Sequence, residues 1–565
     1  MLSAVSVVAH AQFSRAASPP LATLFSSPPT PTSINTAILV YKAVRLGIDF
    51  GTTRTVVAAV DRGNYPVVSF ETSDGEHYDW FPSVMSVCRD WRLYGWDAWA
   101  PQLEPHWTII RSIKRVLENA GPDTIIHAGN QKIPLAQLLR EMAEALKSSL
   151  LERSSLHIRR GDKLEVMLGV PANANSNQRF LTTEAFRSAG FEVLGLLNEP
   201  SAASLEYAHK HKTAGRILVY DLGGGTFDAS LVETGELSHL VVASDGISTL
   251  GGDDFDQILA DLALEAAGIT PEDANDLTQA ETFLLLEECR EKKESLRPNT
   301  RKAVVDLEAV REGWGAATVS VTDFYDRCLP LMQETLNIVE DVMEKHAGGP
   351  IDALYVTGGG SELPLVSRVL REEYGRRVRR SAYTRSATAI GLAIQADVQA
   401  GYVLREKFSR YFGVWRETDG GTRIIFDSLF DKGTLLPGPA ATPLRIARSY
   451  KPWHNIGHFR YLECSHLGAD GEPTGDITVW DEILFPFDPK LRENTDLSDA
   501  DIARLAKASE QTVEESYTCD SSGTVEVAIR NRTAGYVRSY RLGRWSSRAP
   551  VTITPGKSKR TSTKR

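Results

Sequence analysis

The chain lacks the cysteine patterns that bind metals or form redox pairs. Its five cysteines, spread over 565 residues, include no Cys-x-x-Cys pair and no spacing typical of metal ligands. The sequence also lacks any apolar run long enough to span a bilayer. These absences exclude a cysteine-ligated metal site and a transmembrane helix from our predictions, and they suit a protein of a reducing compartment.

An excess of positive charge is absent as well. The formal net charge is −10, and the hydrophobic (42%) and charged (24%) fractions are ordinary for a globular protein. This balance argues against general nucleic-acid binding. Residues 546–565 are the exception, because they are rich in Ser, Thr, Lys and Arg. We expect them to form a disordered, solubilising basic tail rather than a binding patch.

Acidic residues are missing from the first 43 positions, which contain five prolines and only Arg15 and Lys42 as basic residues. This composition is compatible with an organellar transit peptide, although a poor one. We expect residues 1–43 to be a disordered extension or sequence that precedes the true start of translation. The predicted location is therefore cytoplasmic, and a mitochondrial location is the alternative if the segment is a transit peptide.

Two glycine-rich segments are the most informative features present. Leu46–Arg54 and Leu218–Asp228 each place an aspartate after an apolar strand and a Gly/Thr turn after the aspartate. Glycine lets backbone N–H groups approach a phosphate closely, and threonine hydroxyls add donors. Asp49 and Asp221 can each hold a Mg²⁺ ion that bridges phosphate oxygens, usually through its waters. The pair predicts two facing hairpins that hold a nucleoside triphosphate from both sides.

A third glycine element supports this interpretation. Ala353–Pro364 reads as a strand, a glycine turn and the start of a helix, and such a turn can pass close to a nucleoside at a helix N-terminus. Strands and helices alternate along the intervening chain, where Leu135–Leu151 and Thr183–Gly190 are predicted helices. A ligand is then expected at the strand ends, near the turns. Five tryptophans within residues 80–107 are expected to form local core, with a partner-docking surface as the alternative.

These motifs resemble the heat shock protein 70 (DnaK-type) chaperone family, within the actin/sugar-kinase ATPase superfamily. The resemblance runs in register from about Arg45 to Asp397. Further segments that carry it are Val170–Ala172, Gln178–Arg179, Leu197–Ala203, Leu250–Asp256 and Ala389–Gly391. It implies an α/β bilobal, actin-like ATPase of two RNase H-like lobes at residues 44–400, with ATP or ADP and Mg²⁺ in the cleft.

The resemblance also implies roles for individual residues. The implied nucleotide-binding residues are Gly51, Thr52, Thr53, Arg54, Gly223, Gly224, Gly225, Lys293, Gly358, Gly359 and Gly360. Asp49 and Asp221 are implied to hold Mg²⁺ through water. The implied catalytic residues are Lys114, which orients the attacking water and the γ-phosphate, Glu199 and Asp228 around that water, and Thr226 on the γ-phosphate.

The nucleoside end departs from the family pattern. Glu362 stands where the family often has an arginine. Arg290 stands where a glutamate is usual and Glu294 where an arginine is usual, while Lys293 aligns with the family's lysine. Arg54 follows the first turn, where an uncharged residue is usual. Because a guanidinium can stack on a purine and a carboxylate cannot, we expect the base to be held more weakly than in general chaperones.

The chain beyond about residue 405 consists of short apolar runs between Gly-, Pro- and Asp-rich turns, which predicts an all-β fold. Tyr411–Trp415, Lys432–Pro437 and Cys519–Val527 resemble parts of the family's β-sandwich substrate-binding domain, predicted at residues 408–545, with a generic β-sandwich as the alternative. The family's hydrophobic, acid-ended linker is not seen in Gly401–Phe408, and the member is expected to be lidless. Ser498–Lys507 is predicted to be an inserted helix capped by Ser498.

Together these features predict an ATP-driven, chaperone-like protein, a slow ATPase whose lobe closure biases polypeptide binding by the sandwich. The expected partners are polypeptides or one dedicated client, with a J-domain protein and a nucleotide exchange factor implied by the family, and no nucleic acid. The main alternative is a nucleotide-dependent adaptor that binds one dedicated partner with little hydrolysis. A kinase of a small substrate and an actin-like filament protein are further alternatives, which the C-terminal β region disfavours.

Overall fold

The computed structural model describes residues 43–542, except 103, 105, 118–119, 121–123, 160, 212–213, 345–348, 421–422, 439–440 and 522. The described residues belong to one compact unit. The predicted basic tail, and the predicted N-terminal extension apart from residue 43, lie outside the described residues.

The chain up to residue 405 is a mixture of strands and helices. Its strands are β1 (Ala43–Phe50), β2 (Arg54–Ala59), β3 (Phe70–Glu71), β4 (His77–Tyr78), β5 (Phe81–Pro82), β6 (Met85–Cys88), β7 (Trp91–Tyr94), β8 (Thr108–Ile110), β9 (Ile125–Ala128), β10 (Gln131–Pro134), β11 (Lys163–Val170), β12 (Glu192–Asn198), β13 (Gly215–Leu222), β14 (Phe227–Thr234), β15 (Ser238–Ile247), β16 (Lys302–Asp306), β17 (Ala316–Ser320), β18 (Ala353–Thr357), β19 (Val378–Arg380) and β20 (Val403–Arg405). Its α-helices are α1 (Trp96–Trp99), α2 (Leu135–Glu152), α3 (Ser176–Ser188), α4 (Glu199–His211), α5 (Gly252–Ala267), α6 (Pro271–Asn275), α7 (Gln279–Ser295), α8 (Val321–Glu344), α9 (Pro364–Tyr374) and α10 (Ala387–Ala396). Within the described part of the chain, none of these helices has the length and apolar character that crossing a membrane requires.

Two mixed sheets with the same central arrangement organise this region. The first has the strand order β12-β11-β1-β2-β5, and the second has the order β19-β18-β13-β14-β15-β20. In each sheet a central strand pairs in parallel on one side and forms an antiparallel hairpin on the other: β1 lies between β11 and β2, and β13 lies between β18 and β14. The two glycine segments therefore occupy equivalent turns of two related sheets.

Helices α4 and α10 join the two sheets through one shared core. Its buried side chains come from β2 and β11 of the first sheet, from β13, β14 and β18 of the second, and from both helices. Two glycines allow the close approach this needs. A Cβ added to Gly47 would lie 2.2 Å from the backbone nitrogen of Ala393, and one added to Gly391 would lie 1.8 Å from the carbonyl oxygen of Ala202. Each sheet also has a separate core on its outer face.

The predicted helix at Leu135–Leu151 is confirmed as α2, which buries a continuous apolar stripe against the first sheet. The helix predicted at Thr183–Gly190 is also present, but α3 begins earlier, at Ser176. Asn175 caps it, because its side chain accepts from the Gln178 backbone N–H while the Gln178 side chain accepts from the Asn175 backbone N–H. Gly190, with φ of 81°, follows the end of the helix.

Three of the five tryptophans within residues 80–107 pack together, and a fourth is exposed. Trp80 packs against Trp96 and Trp99, with ring centroids 4.7 and 6.3 Å apart. Trp99 also meets Phe283 of the second half of this region at 6.0 Å. Trp91, by contrast, is 72% exposed, so the prediction of local core is wrong for this residue, which lies in a surface hairpin.

The C-terminal region is β-rich, as predicted. Its strands are β21 (Tyr411–Thr418), β22 (Arg423–Phe430), β23 (Leu444–Tyr450), β24 (Ile456–Leu467), β25 (Pro473–Pro486), β26 (Val513–Cys519), β27 (Val525–Asn531) and β28 (Tyr536–Arg541). They form two four-stranded antiparallel sheets, with the orders β22-β21-β24-β25 and β23-β26-β27-β28. Buried side chains from both sheets make one core, so the sheets pack face to face.

The predicted inserted helix at Ser498–Lys507 is wrong. Residues 501–505 run against the chain that precedes β24, since the Asn455 backbone N–H donates to the Ala503 carbonyl and the Leu505 N–H donates to the Trp453 carbonyl. The Asn455 side chain holds two further backbone groups there. Only a short 3-10 turn at Ala506–Glu510 is helical. A helix of ten residues is marginal alone, and these tertiary hydrogen bonds outweigh its local propensity.

Candidate functional site

The two predicted glycine turns lie against each other. They connect β1 to β2 and β13 to β14 at the ends of the two central hairpins. A Cβ added to Gly224 would lie 2.8 Å from Thr53 Oγ1, and one added to Gly225 would lie 2.7 Å from Thr52 Oγ1. Because no larger residue fits at these two glycines, backbone N–H groups and threonine hydroxyls form the walls of the gap, which suits phosphate oxygens.

The third glycine turn closes the same cavity. Gly358 has φ of 82°, and a Cβ there would lie 2.2 Å from the carbonyl oxygen of Leu222, at the end of β13. A Cβ on Gly360 would lie 2.7 Å from the carbonyl oxygen of Gly223. The N-terminus of α5 packs against the second turn, where the Asp253 N–H donates to the Gly224 carbonyl at 2.7 Å. Residues of all three turns line one cavity, together with Lys114, Thr226 and Lys293.

A buried ion pair lies at the inner end of this cavity. Lys114, on the short 3-10 helix Ile113–Leu117, donates from Nζ to Glu199 Oε1 at 2.5 Å. Glu199 begins α4, and both side chains are buried. Burial acts to lower the pKa of Lys114, but the negative charges of Glu199 and Asp49 outweigh it and raise that pKa. The lysine is therefore held as a cation.

Three aspartates surround this pair. Burial raises the pKa of Asp221 to about 7 and that of Asp228 to about 8, and in both cases the charge of Glu199 adds to the effect. Burial also raises the pKa of Asp49 well above its usual value. Asp228 Oδ1 accepts from the Ala172 N–H at 2.8 Å, which fixes its position. Four carboxyl groups thus share one ammonium group, and a bound cation would favour the ionised forms of the aspartates.

The donor set of this cluster fits Mg²⁺. It consists of carboxylate oxygens, which hard divalent cations prefer, and the facing turns leave room for the phosphates that share the ion. In the part of the chain that the structure describes, no three His, Cys, Asp or Glu side chains converge as direct metal ligands. Binding of the ion by Asp49 and Asp221 through water remains a prediction.

The outer end of the cavity is lined by charged side chains. Lys293 donates from Nζ to the Gly252 carbonyl and contacts Asp256 Oδ1, both at 2.6 Å. Glu294 accepts from Arg54 Nη2 at 3.0 Å, and the Arg54 guanidinium lies 4.7 Å from the centre of the Trp80 ring. Burial lowers the pKa of Arg54 to about 10, against the opposing effect of Glu294. Arg54 belongs to the first sheet and Glu294 to α7, so this pair crosses the cavity.

Two further arginines beside Lys114 also cross between the halves, and sequence reasoning missed them. Arg111 contacts Asp253 Oδ1 at 2.7 Å and Glu287 Oε1 at 2.9 Å. Arg115 contacts Asp254 Oδ2 at 2.5 Å. A signal was present, because the arginines flank the lysine of the Ile113–Arg115 segment and the aspartates belong to the Leu250–Asp256 segment.

The raised aspartate pKa values predict a pH dependence of stability for the protein without nucleotide or metal. A carboxyl group whose pKa is higher in the folded than in the unfolded state binds more protons when folded, so its stabilising contribution is lost as pH rises. For Asp221 and Asp228 the loss extends from about pH 4 to about pH 7 and 8. We expect Asp228→Asn to reduce the fall in Tm between pH 5.5 and 7.5, measured by scanning calorimetry.

The control for this prediction is Asp326→Asn, at an exposed position on α8, which should keep the wild-type pH profile. An Asp228→Asn protein whose Tm falls as steeply as that of the wild type would contradict the assignment of a raised pKa to Asp228.

The structure is an α/β region of two related sheets with a cavity lined by three glycine turns, followed by a β-rich region. Comparison with known proteins identifies the proteins to which the chain is similar. Residues 135–409 match the family model described as Hsp70 protein. The chain is 32% identical to the chaperone protein HscA of Serratia proteamaculans over 380 residues, which is 63% of this chain and 58% of that protein. It is also 32% identical to the chaperone protein HscA homolog of Burkholderia multivorans over 421 residues, 70% of this chain and 65% of that protein.

These matches confirm the resemblance given by the glycine segments, since the chain is similar to Hsp70 proteins over residues 135–409 and to HscA chaperones over about two thirds of its own length. The chain spans about three fifths of the length of the curated relatives it matches. The activities of those complete proteins are therefore not transferred to it by these matches alone.

Proposed function

We propose that this chain is a chaperone-like protein that binds ATP, hydrolyses it slowly and couples its nucleotide state to polypeptide binding. The observation that carries the proposal is the buried Lys114–Glu199 pair, set among Asp49, Asp221 and Asp228 beside two facing glycine turns. In this proposal residues 44–400 are a two-lobed, actin-like ATPase with RNase H-like lobes, and residues 408–545 are the substrate-binding domain.

The proposed chemistry needs positioning and charge neutralisation rather than a covalent intermediate. In the turns Gly51–Thr53 and Gly223–Gly225, the backbone N–H groups of the last two residues of each turn donate to the β- and γ-phosphates, and the Thr226 hydroxyl donates to the γ-phosphate. The Lys114 ammonium, held in place by Glu199, orients a water molecule towards the γ-phosphorus. Glu199 and Asp228 accept hydrogen bonds from that water. Asp49 and Asp221 would hold Mg²⁺ through water, and the ion supplies charge neutralisation when it is bound.

A groove in the β-rich region supports polypeptide binding. It lies between the chain segments that connect β21 to β22 and β23 to β24, and its lining includes Trp415 and Phe459. Ile424, Trp453 and Ile502 line it as well, and each is about half exposed, at 51%, 52% and 46%. Three large apolar side chains exposed in one groove are uncommon on a protein without a partner. We propose that an extended apolar peptide segment occupies it.

The join between the two regions supports coupling. β20 pairs in parallel with β15, so the segment that leads into the sandwich is an edge strand of the second sheet. The next residue, Glu406, is buried and accepts at 2.9 Å from the Asn198 N–H, directly before Glu199. The Asn198 side chain also accepts from Arg179 at 2.5 Å. A shift of the sandwich is thereby linked to the backbone that carries a proposed catalytic carboxylate.

Single-turnover ATP hydrolysis, with and without a reduced and alkylated unfolded protein, tests the proposal. We expect slow hydrolysis that the unfolded protein accelerates several-fold. Glu406→Gln keeps an acceptor for Asn198 but removes the charge that attracts Arg179, so stimulation by the unfolded protein should fall to less than half. Glu526→Gln, at an exposed position of β27, is the matched control and should respond as the wild type does.

Hydrolysis that ignores unfolded protein would favour the alternative function, a nucleotide-dependent adaptor for one dedicated partner. A peptide array with a single strong signal would then identify that partner. Absence of both nucleotide binding and hydrolysis would refute the proposal. A J-domain protein and a nucleotide exchange factor are proposed as further partners, and the cytoplasm is the proposed location.

A further inference from the structure

An arginine that the sequence analysis did not single out lies at the outer end of the cleft. Arg385, in the turn before α10, donates to Glu362 Oε2 from Nε at 3.0 Å and from Nη2 at 2.7 Å. Its Nη2 also donates to Glu294 Oε2 at 3.1 Å. The guanidinium is thus fixed along its edge by carboxylates from two other elements, the 3-10 turn Gly359–Glu362 and helix α7.

Glu362 is itself held in place. The Thr384 hydroxyl donates to Glu362 Oε1 at 2.7 Å, so both carboxylate oxygens are occupied. The positive charges of Arg54, Arg385 and Arg290 outweigh burial and lower the pKa of Glu294 to about 2. Arg54, Glu294, Arg385 and Glu362 therefore form a chain of alternating charges in which each carboxylate is ionised and each guanidinium has an acidic neighbour.

The position of Arg385 relative to the phosphate turns fits contact with a base. Arg385 lines the same cavity as the three glycine turns. A Cβ on Gly359 would lie 3.8 Å from Arg385 Cγ, so the Arg385 side chain packs directly against the backbone of the third turn. The carboxylate cluster with Lys114 occupies the inner end of the cavity. A nucleotide with its phosphates at the glycine turns extends its base towards the outer end.

We propose that Arg385 is the residue that stacks on the nucleotide base and gives the site a preference for purines, with Glu362 and Glu294 as its positioning residues. The inference rests on the proposed nucleotide-binding function. The Arg385 side chain is 36% exposed, and its guanidinium contacts the carboxylates along its edge, which leaves a planar face for an aromatic ring. A purine offers a larger face for this contact than a pyrimidine does.

The proposal explains the unusual glutamate at position 362. From the sequence we expect a weaker hold on the base, because the family often has an arginine there. In this chain an arginine reaches the same turn from position 385, and the glutamate fixes it there.

Isothermal titration of the full chain, in the presence of Mg²⁺, with ADP, UDP and inorganic tripolyphosphate tests this assignment. We expect Arg385→Ala to weaken ADP binding about tenfold, since stacking of a cation on an aromatic ring has that order of effect. Tripolyphosphate binding should change less than twofold, and the preference for ADP over UDP should shrink. Arg380→Ala is the matched control, because Arg380 lies 3.6 Å from the same glutamate outside the cavity and should leave all three affinities unchanged.

A charge exchange provides a second test that does not depend on loss of function alone. Arg385→Glu should weaken ADP binding, because it sets a third carboxylate beside Glu362 and Glu294. The double variant Glu362→Arg, Arg385→Glu restores a guanidinium and should recover ADP affinity to within about threefold of the wild type. An Arg385→Ala protein that binds ADP as the wild type does would overturn the inference and leave the proposed function standing. A wild type that binds neither ADP nor tripolyphosphate would overturn both.

Discussion

Replacing Lys114 by alanine is expected to lower the single-turnover rate of ATP hydrolysis by a factor on the order of a hundred or more, while ATP still binds. The lysine is the ammonium group among four carboxyls at the inner end of the cleft, and Glu199 fixes it at 2.5 Å. Without it, neither the attacking water nor the charge on the γ-phosphate is held. The measurement is quenched-flow hydrolysis at saturating ATP, with binding followed separately by titration.

Two further variants separate a loss of catalysis from a loss of stability. Lys132→Ala, at an exposed position of β10, is the control and should hydrolyse ATP at the wild-type rate. Lys114→Ala leaves Glu199 as an unpaired buried charge, which can lower stability. The double variant Lys114→Met, Glu199→Gln removes both charges and should fold but remain inactive. Wild-type hydrolysis by either Lys114 variant would exclude the proposed role.

Replacing Gly224 by valine is expected to abolish detectable ATP binding, a loss of at least about a hundredfold in affinity. A Cβ at this position would lie 2.8 Å from Thr53 Oγ1 and 3.1 Å from Thr53 Cγ2, in the gap between the two turns. The added side chain both pushes the turns apart and occupies the space proposed for the phosphates. Titration with ATP and with tripolyphosphate measures the effect, and both ligands should be lost together because they share the phosphate contacts.

The matched control is Gly438→Val in the β-rich region, where an added Cβ would meet only Ala441 Cβ, at 4.0 Å. This protein should bind ATP with wild-type affinity. If a folded Gly224→Val protein with an unchanged Tm still bound ATP, the phosphates would have to bind elsewhere than between the facing turns.

The sequence predicted the parts of the site that depend on local backbone geometry. The Asp-to-glycine turns after β1 and β13 could be recognised because strand ends, glycine freedom and threonine donors leave a short, contiguous pattern. Helix α2 could be recognised because its apolar stripe repeats with helical period. The two turns face each other because they occupy equivalent places in two sheets with the same strand arrangement.

The remaining features depend on contacts between distant residues. Arg385 and Glu362 are 23 positions apart, and no local pattern pairs them. Glu406 lies 208 positions from the Asn198 N–H that it accepts from, so the joining segment looked featureless in the sequence. The segment Ser498–Lys507 has the local composition of a helix, but hydrogen bonds with Asn455 and Trp453 hold residues 501–505 against the chain that precedes β24. In each case a tertiary partner decides the outcome.

The shared core around α10 has a consequence for how the chain is made. Helix α10 covers residues 387–396, yet it packs on β1, which begins at Ala43, through the close approach of Gly47 to Ala393. During synthesis the whole first sheet and strands β13, β14 and β15 of the second emerge from the ribosome before the helix that completes the core between them. The inner face of β2, which ends at Ala59, therefore lacks the α10 side of its core until Ala396 has been made, more than half of the chain later. The nascent polypeptide itself needs protection from aggregation until residue 396 is free to dock.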